Sequence, residues 1–234
     1  MNGFASACLV ALLVGGVPVA DEEHAIRSVH ADQDAALTLD PSSPFWRDAG
    51  RVKMERDKYG KVVPGFSAEV RTRWTKDNLY FLFASPYQQL YLKPNPITQQ
   101  ETYELWNWDV AEVFIGSDFD DIKRYKEFEV SPQGEWVDLD INLHRPHHED
   151  GWLWNSGFAA AAHIDRAKHM WYAAMRIPMS AIDKRATAEG NTFRINLFVS
   201  QGPPSQHREI AWQAPMNETF HVPEKFGLIR LARK

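Results

Sequence analysis

The chain has 234 residues, 44% of them hydrophobic and 24% charged, with nine Trp and a formal net charge of −5. This length and balance suit one globular domain of the sandwich or barrel kind. The acidic excess leaves no basic stripe to neutralise phosphates, which excludes nucleic acid or an anionic membrane surface as the partner.

Residues 1–20 read as a secretory signal segment. A short apolar run from Ala5 to Val14 is followed by Gly15, Gly16, Pro18 and the small Ala20, ahead of the charged Asp21-Glu22-Glu23-His24. The run is too short to span a bilayer, and no Lys or Arg precedes it. A secreted or periplasmic location follows. Cys8, the only cysteine, falls inside the segment, so the remaining chain has no disulfide, thiolate nucleophile or Cys-ligated metal.

A weak strand signal covers 27–31, and Asp40-Pro41-Ser42-Ser43-Pro44 turns into Phe45 and Trp46, an expected plug under the core. Strands are predicted at 51–55, 68–74 and 79–85, the last two joined by the Asp77-Asn78 turn. Phe81 and Phe83 alternate with Tyr80 and Leu82, a pattern for a strand buried on both faces. A long loop, 86–102, carries Pro94 and Pro96; its Tyr87 and Tyr91 either wall a site or anchor the loop.

Three strands follow, at 109–115, 127–131 and 135–141. Side chains alternate faces along a strand. Ala111, Val113 and Ile115, Phe128 and Val130, and Val137, Leu139 and Ile141 are assigned to one aliphatic core face. The other then holds Trp106, Trp108, Glu112, Phe114, Glu127, Glu129, Trp136, Asp138 and Asp140. A pyranose offers flat C–H patches that stack on aromatic rings and hydroxyls that need polar partners, so exposed indoles flanked by carboxylates suit it. The plainer alternative is a solvated outer face whose Trp residues cap the core edge.

Further on, His144, His147, His148, Glu149 and Asp150 crowd one loop, but their spacing matches no zinc or iron pattern. Strands are expected at 158–164 and 170–177, a helical turn at 179–182 after Pro178, and closing strands at 192–200, 209–213 and 227–231. About ten short strands with short helical turns predict an all-β fold: a single antiparallel β-sandwich, jelly-roll-like, forming one domain over 21–234.

Two stretches carry a family resemblance. Trp106-x-x-Asp109-x-x-Glu112-Val113-Phe114-Ile115 and Phe220-x-x-Pro223-x-Lys225-Phe226-Gly227-x-x-Arg230-Leu231 resemble the strand and closing motifs of carbohydrate-binding module family 9. Asp77-Asn78-Leu79-Tyr80-Phe81 and Ile210-Ala211-Trp212 fit as well, so the resemblance runs from about Phe45 to the end. It implies a non-catalytic β-sandwich that holds a terminal sugar between two aromatic rings and supports carbohydrate catabolism. Trp106 matches the first stacking position and Phe220 the second, where Trp is usual. Glu112 matches the family's Glu and Asn217 its Asn, while Glu129 stands where binding members carry an Arg. That exchange could change the ligand, bring in a bound calcium ion, or abolish binding; no other cofactor is required. The candidate ligand-binding residues are Trp106, Trp108, Asp109, Glu112, Glu129, Asn217 and Phe220. The implied partners are a mono- or oligosaccharide and a separately encoded glycan-degrading enzyme.

Three other readings stand beside it. Catalysis by Asp138 and Asp140 conflicts with their position on one face of one strand, because glycoside hydrolysis needs carboxylates flanking the bond; no intrinsic activity is expected, and any hydrolase link is one of family association. A haem b site, known in related sandwiches, would draw on His169, Met170, Met175 and His221. A ligand-free interaction domain is the third.

Overall fold

Phe81 and Phe83 point to one face of their strand and Tyr80 and Leu82 to the other, and all four are buried. A strand buried on both faces must sit in a sheet covered on both sides, and the computed structural model, which describes residues 24–233, shows this arrangement. The strands are β1 (Ala25–His30), β2 (Gly50–Met54), β3 (Ala68–Trp74), β4 (Asn78–Pro86), β5 (Val110–Gly116), β6 (Arg124–Val130), β7 (Trp136–Asn142), β8 (Ala159–Asp165), β9 (Met170–Pro178), β10 (Thr192–Gln201), β11 (Arg208–Ala211) and β12 (Gly227–Ala232). A single helical turn, α1 (Met179–Ile182), follows Pro178 as expected. The predicted leader and Cys8 lie outside the described residues. Among the described residues, no helix is long and apolar enough to cross a membrane.

The strands form one hydrogen-bonded path, β7-β6-β5-β10-β12-β1-β3-β4-β9-β8, with β11 added to β10 and β2 to β3. The path curls into a β-sandwich. Ala111, Val113, Phe128, Leu197 and Val199 from the β7–β10 half meet Val70, Phe81, Phe83, Ala173 and Met175 from the β3–β8 half in one core. Pairing is antiparallel except at β1, which runs parallel to both β12 and β3. Where β2 starts, the chain passes so close to β1 that a Cβ on Gly50 would sit 1.8 Å from the Arg27 carbonyl oxygen. Only glycine fits there. Trp46 is a plug, as expected, but on the outer face of the β3–β8 half, against Tyr80, Leu82 and Ala174.

One expectation about faces is corrected. The register pairs Glu112 with Glu129 and Glu129 with Val137. Residues directly opposite share a face, so Val137, Leu139 and Ile141 lie on the same side as the carboxylates. Asp138, paired with Phe128, turns into the main core side. It is tolerated there because Ser156 donates to its Oδ2 from both the backbone N–H and the hydroxyl. Asp140, of the same parity, stays exposed and pairs with Lys126.

Candidate functional site

The outer face of the β7–β10 half is roofed by loops, and between them opens a cleft of about 420 Å³. Its floor is sheet: Glu112 and Phe114 from β5, Glu127 from β6, Leu139 from β7 and Ser200 from β10. Glu104 adopts a left-handed conformation (φ 59°) that starts the 3-10 turn Leu105–Asn107. Leu105 is fully buried as the anchor of that turn, while Trp106 beside it is left half-exposed on the cleft wall. The Trp106 ring meets Tyr103 edge-on at 5.4 Å, and Tyr103 leans on Trp152 at 5.0 Å. Elsewhere on the wall Phe220 lies flat on the buried Phe198, centroids 4.2 Å apart and planes within 5°. Any ligand ring must therefore take its other face.

His221 is wedged between Phe114 and His148, and its Nδ1 shares a 2.6 Å hydrogen bond with the Tyr125 hydroxyl. Burial, helped by the neighbouring His148, pushes its pKa down to about 3, so the ring is neutral. At the rim, Lys58 ties Glu209 (3.1 Å) to Glu218 (2.9 Å), and the Tyr59 hydroxyl donates to Glu218.

Two of the predicted site residues serve the frame instead. Asp109 is buried and accepts the backbone N–H of Tyr91 (2.7 Å) and of Gly202 (2.8 Å). Burial lifts its pKa to about 6 even though both N–H groups pull the other way. Trp108 stacks on Tyr91 at 4.5 Å and does not line the cleft. Tyr91 is thus a loop anchor. Asp109→Asn is expected to destabilise the fold by about 1–3 kcal/mol, because its NH2 must face one of two N–H donors; urea unfolding checks this. Asn217 is exposed, accepts the Thr219 N–H (3.3 Å), and is outside the cleft lining; Glu218 and Thr219 reach it instead.

The carboxylates are brought together. Glu112 and Glu129 face each other across β5 and β6, and Glu127 lies two residues along the same face. One oxygen from each of the three lies within 4.8 Å of the others. Burial is the main force raising all three pKa values, Glu127 to about 7, and mutual repulsion adds to it for Glu112 and Glu129. Glu127 was absent from the candidates despite sharing the parity of Glu129, and that parity was the signal for it. Tyr103, three residues before Trp106, had none. Of the four haem-ligand candidates only His221 lines the cleft, and Met175 is core. The His-rich loop forms the 3-10 helix His148–Leu153, with His144 bonded to Asp121 and His147 to Glu149.

Comparison with known proteins gives a consistent picture. A family model described as "Carbohydrate family 9 binding domain-like" matches residues 42–234. A protein of Arthroderma benhamiae described as "Extracellular protein" is 24% identical over 166 residues, 66% of this chain and 69% of that one. A carbohydrate binding module family 9 from Caldicellulosiruptor kristjanssonii is similar in its complex with cellotriose (14% identity, TM-score 0.59, covering 90% of this chain and 94% of that one). Its complex with glucose gives 15% identity and a TM-score of 0.60, with 90% and 96% covered. A candidate carbohydrate-binding protein from Bacteroides uniformis is 14% identical, with a TM-score of 0.66 and 88% and 98% covered. At these identities the structural likeness is one of fold.

Proposed function

Because the chain belongs to the carbohydrate family 9 binding domain-like family, we propose that its cleft binds the terminal ring of a neutral saccharide without cleaving it. The observation that carries this is the convergence of Trp106 and Phe220, from loops far apart in sequence, on one cleft floored by Glu112. Each ring offers a flat apolar face for sugar C–H groups. Glu112, Ser200 and Thr219 supply hydrogen-bonding groups for the hydroxyls. The module that shares this fold is described in complex with cellotriose and with glucose, which makes β-linked glucans the first class to test. Glu112 and Glu127 rise side by side from the floor. Of the carboxylates around them, Glu209 and Glu218 are tied to Lys58 and Glu149 to His147, whereas hydrolysis requires a pair free to act on either side of the scissile bond. The reading is therefore of a receptor that works beside a glycan-degrading enzyme, outside the cell like its fungal relative.

Stacking on two rings and two or three hydrogen bonds, less the cost of ordering, implies a Kd of about micromolar to millimolar. Isothermal titration with glucose, cellobiose and cellotriose should give saturable heat. Trp106→Ala should weaken it about tenfold or more, a loss of ~1–2 kcal/mol. Flat titrations from a protein shown folded by circular dichroism would overturn the reading.

A further inference from the structure

We propose that Glu112, Glu127 and Glu129 hold a divalent cation of the calcium class in the cleft floor, with part of its coordination sphere open to the cleft. The oxygens are spaced for it. Those of all three residues lie within 4.8 Å of one another, and two ligands on one calcium ion stand at most about 4.8 Å apart, twice a Ca–O distance of ~2.4 Å.

Glu129 gives the second, independent observation. It is 0% exposed, and neither of its carboxylate oxygens has a hydrogen-bond partner. Glu127 Oε2 is likewise buried and unpartnered, and Glu112 has only a 3.5 Å contact from the Ser200 hydroxyl. Buried carboxylates in native proteins are otherwise satisfied by donors or counter-ions. The surrounding side chains supply no cation, and no donor beyond the Ser200 hydroxyl on Glu112 and, when one of the two is protonated, a proton shared between Glu127 and Glu129. The charges acting most strongly on Glu112 are Glu127 and Glu209, and on Glu129 they are Glu127 and Glu112, all of the same sign. Lys58, on the adjoining rim, is already shared between Glu209 and Glu218.

The donor set selects the ion. Three carboxylates without a His or Cys suit a hard cation that takes six to eight oxygens, not zinc or copper. Glu129 lies beneath the floor, whereas Glu112 and Glu127 line the cleft. The protein thus covers one side of the ion, and water or paired sugar hydroxyls complete the other. This last step rests on the saccharide reading. It would put a cation where the related motif carries a guanidinium.

The test is calcium titration of the chelator-treated full chain, with terbium luminescence sensitised by nearby Trp as a second readout. One calcium per chain at this site is expected, with affinity at least tenfold weaker in both Glu129→Gln and Glu112→Gln. Absence of saturable calcium binding by folded protein would overturn the proposal, as would binding unchanged in both variants, which would put the ion elsewhere. Repeating the cellotriose titration in calcium and in chelator separates the two ideas. Sugar heat indifferent to chelator, with no calcium heat, overturns the cation and leaves the saccharide reading standing. Calcium binding that the two variants weaken, without sugar heat, supports the cation and overturns the saccharide reading.

Discussion

Replacing Trp171 by alanine is expected to cost about 4–5 kcal/mol, the largest single-residue effect foreseen for this chain. The indole is fully buried in β9, and its Nε1 donates to Gln201 Oε1 at 2.9 Å at the far end of β10. Gln201 is itself buried and donates to the Pro86 carbonyl at 3.2 Å. One ring therefore joins the two layers of the sandwich. Truncation removes its packing, opens a cavity and strips a buried amide oxygen of its donor, each a recognised source of large losses. Trp171→Phe keeps most of the ring and should cost about 1–2 kcal/mol. Chemical unfolding followed by circular dichroism measures both, and a loss below about 2 kcal/mol for the alanine variant would refute the clamp.

The second large effect concerns pH. Chelator-treated protein should be less stable at pH 8 than at pH 5, by on the order of 2–3 kcal/mol. Burial raises Asp109 to about 6 and Glu127 to about 7. Each folded-state pKa exceeds the unfolded value near 4, so the native state holds protons the unfolded chain has released. That stabilisation is complete below about pH 4 and is lost as pH rises through the folded values. Glu101, lifted to about 8 by burial and by Asp138, adds in the same direction, and so do Glu112 and Glu129. His221 opposes them. Its pKa is depressed to about 3, so its contribution is present above about 6.5 and lost on acidification. Asp109 and Glu127 together give roughly three pH units of linkage between pH 5 and 8, and His221 returns about one and a half. Urea melts at both pH values in chelator decide it. Equal midpoints, or a higher one at pH 8, would contradict the assignment.

Much of the fold was legible because alternation within a strand is a local property. Phe81, Phe83, Tyr80 and Leu82 declared a doubly buried strand, and Met175 shared the parity of Trp171 and proved to be core. Register lies in the turn and not in the alternation. A turn of five residues, 131–135, separates β6 from β7; Ser131 and Glu135 close it around Gly134 at φ 91°, and that closure sets Val130 opposite Trp136 and so Val137 opposite Glu129. Sorting by hydrophobicity sent Asp138 the wrong way, because its rescue by Ser156 comes from a later loop. The site was legible to the same depth. Trp106, Glu112 and Phe220 line the cleft and Glu129 lies beneath its floor, while Asp109 and Trp108 hold the loop before it. Parity told which side Glu129 takes, but not that the 148–153 and 218–221 segments would roof that side. Burial of the carboxylates therefore became visible only in three dimensions.

The strand at the start of the described chain has a mechanical consequence. β1 lies between β12 and β3 and runs parallel to both, with Ala25 to Val29 matched to Leu228 to Ala232. The two halves of the sandwich are joined along the sheet path through the β12–β1 pair. Tension applied between His24 and Arg233 would pull β1 backwards and β12 forwards. Adjacent parallel strands drawn in opposite directions are sheared, so their hydrogen bonds bear the load together instead of breaking in sequence. Loaded through its two ends, the domain would resist extension at this seam.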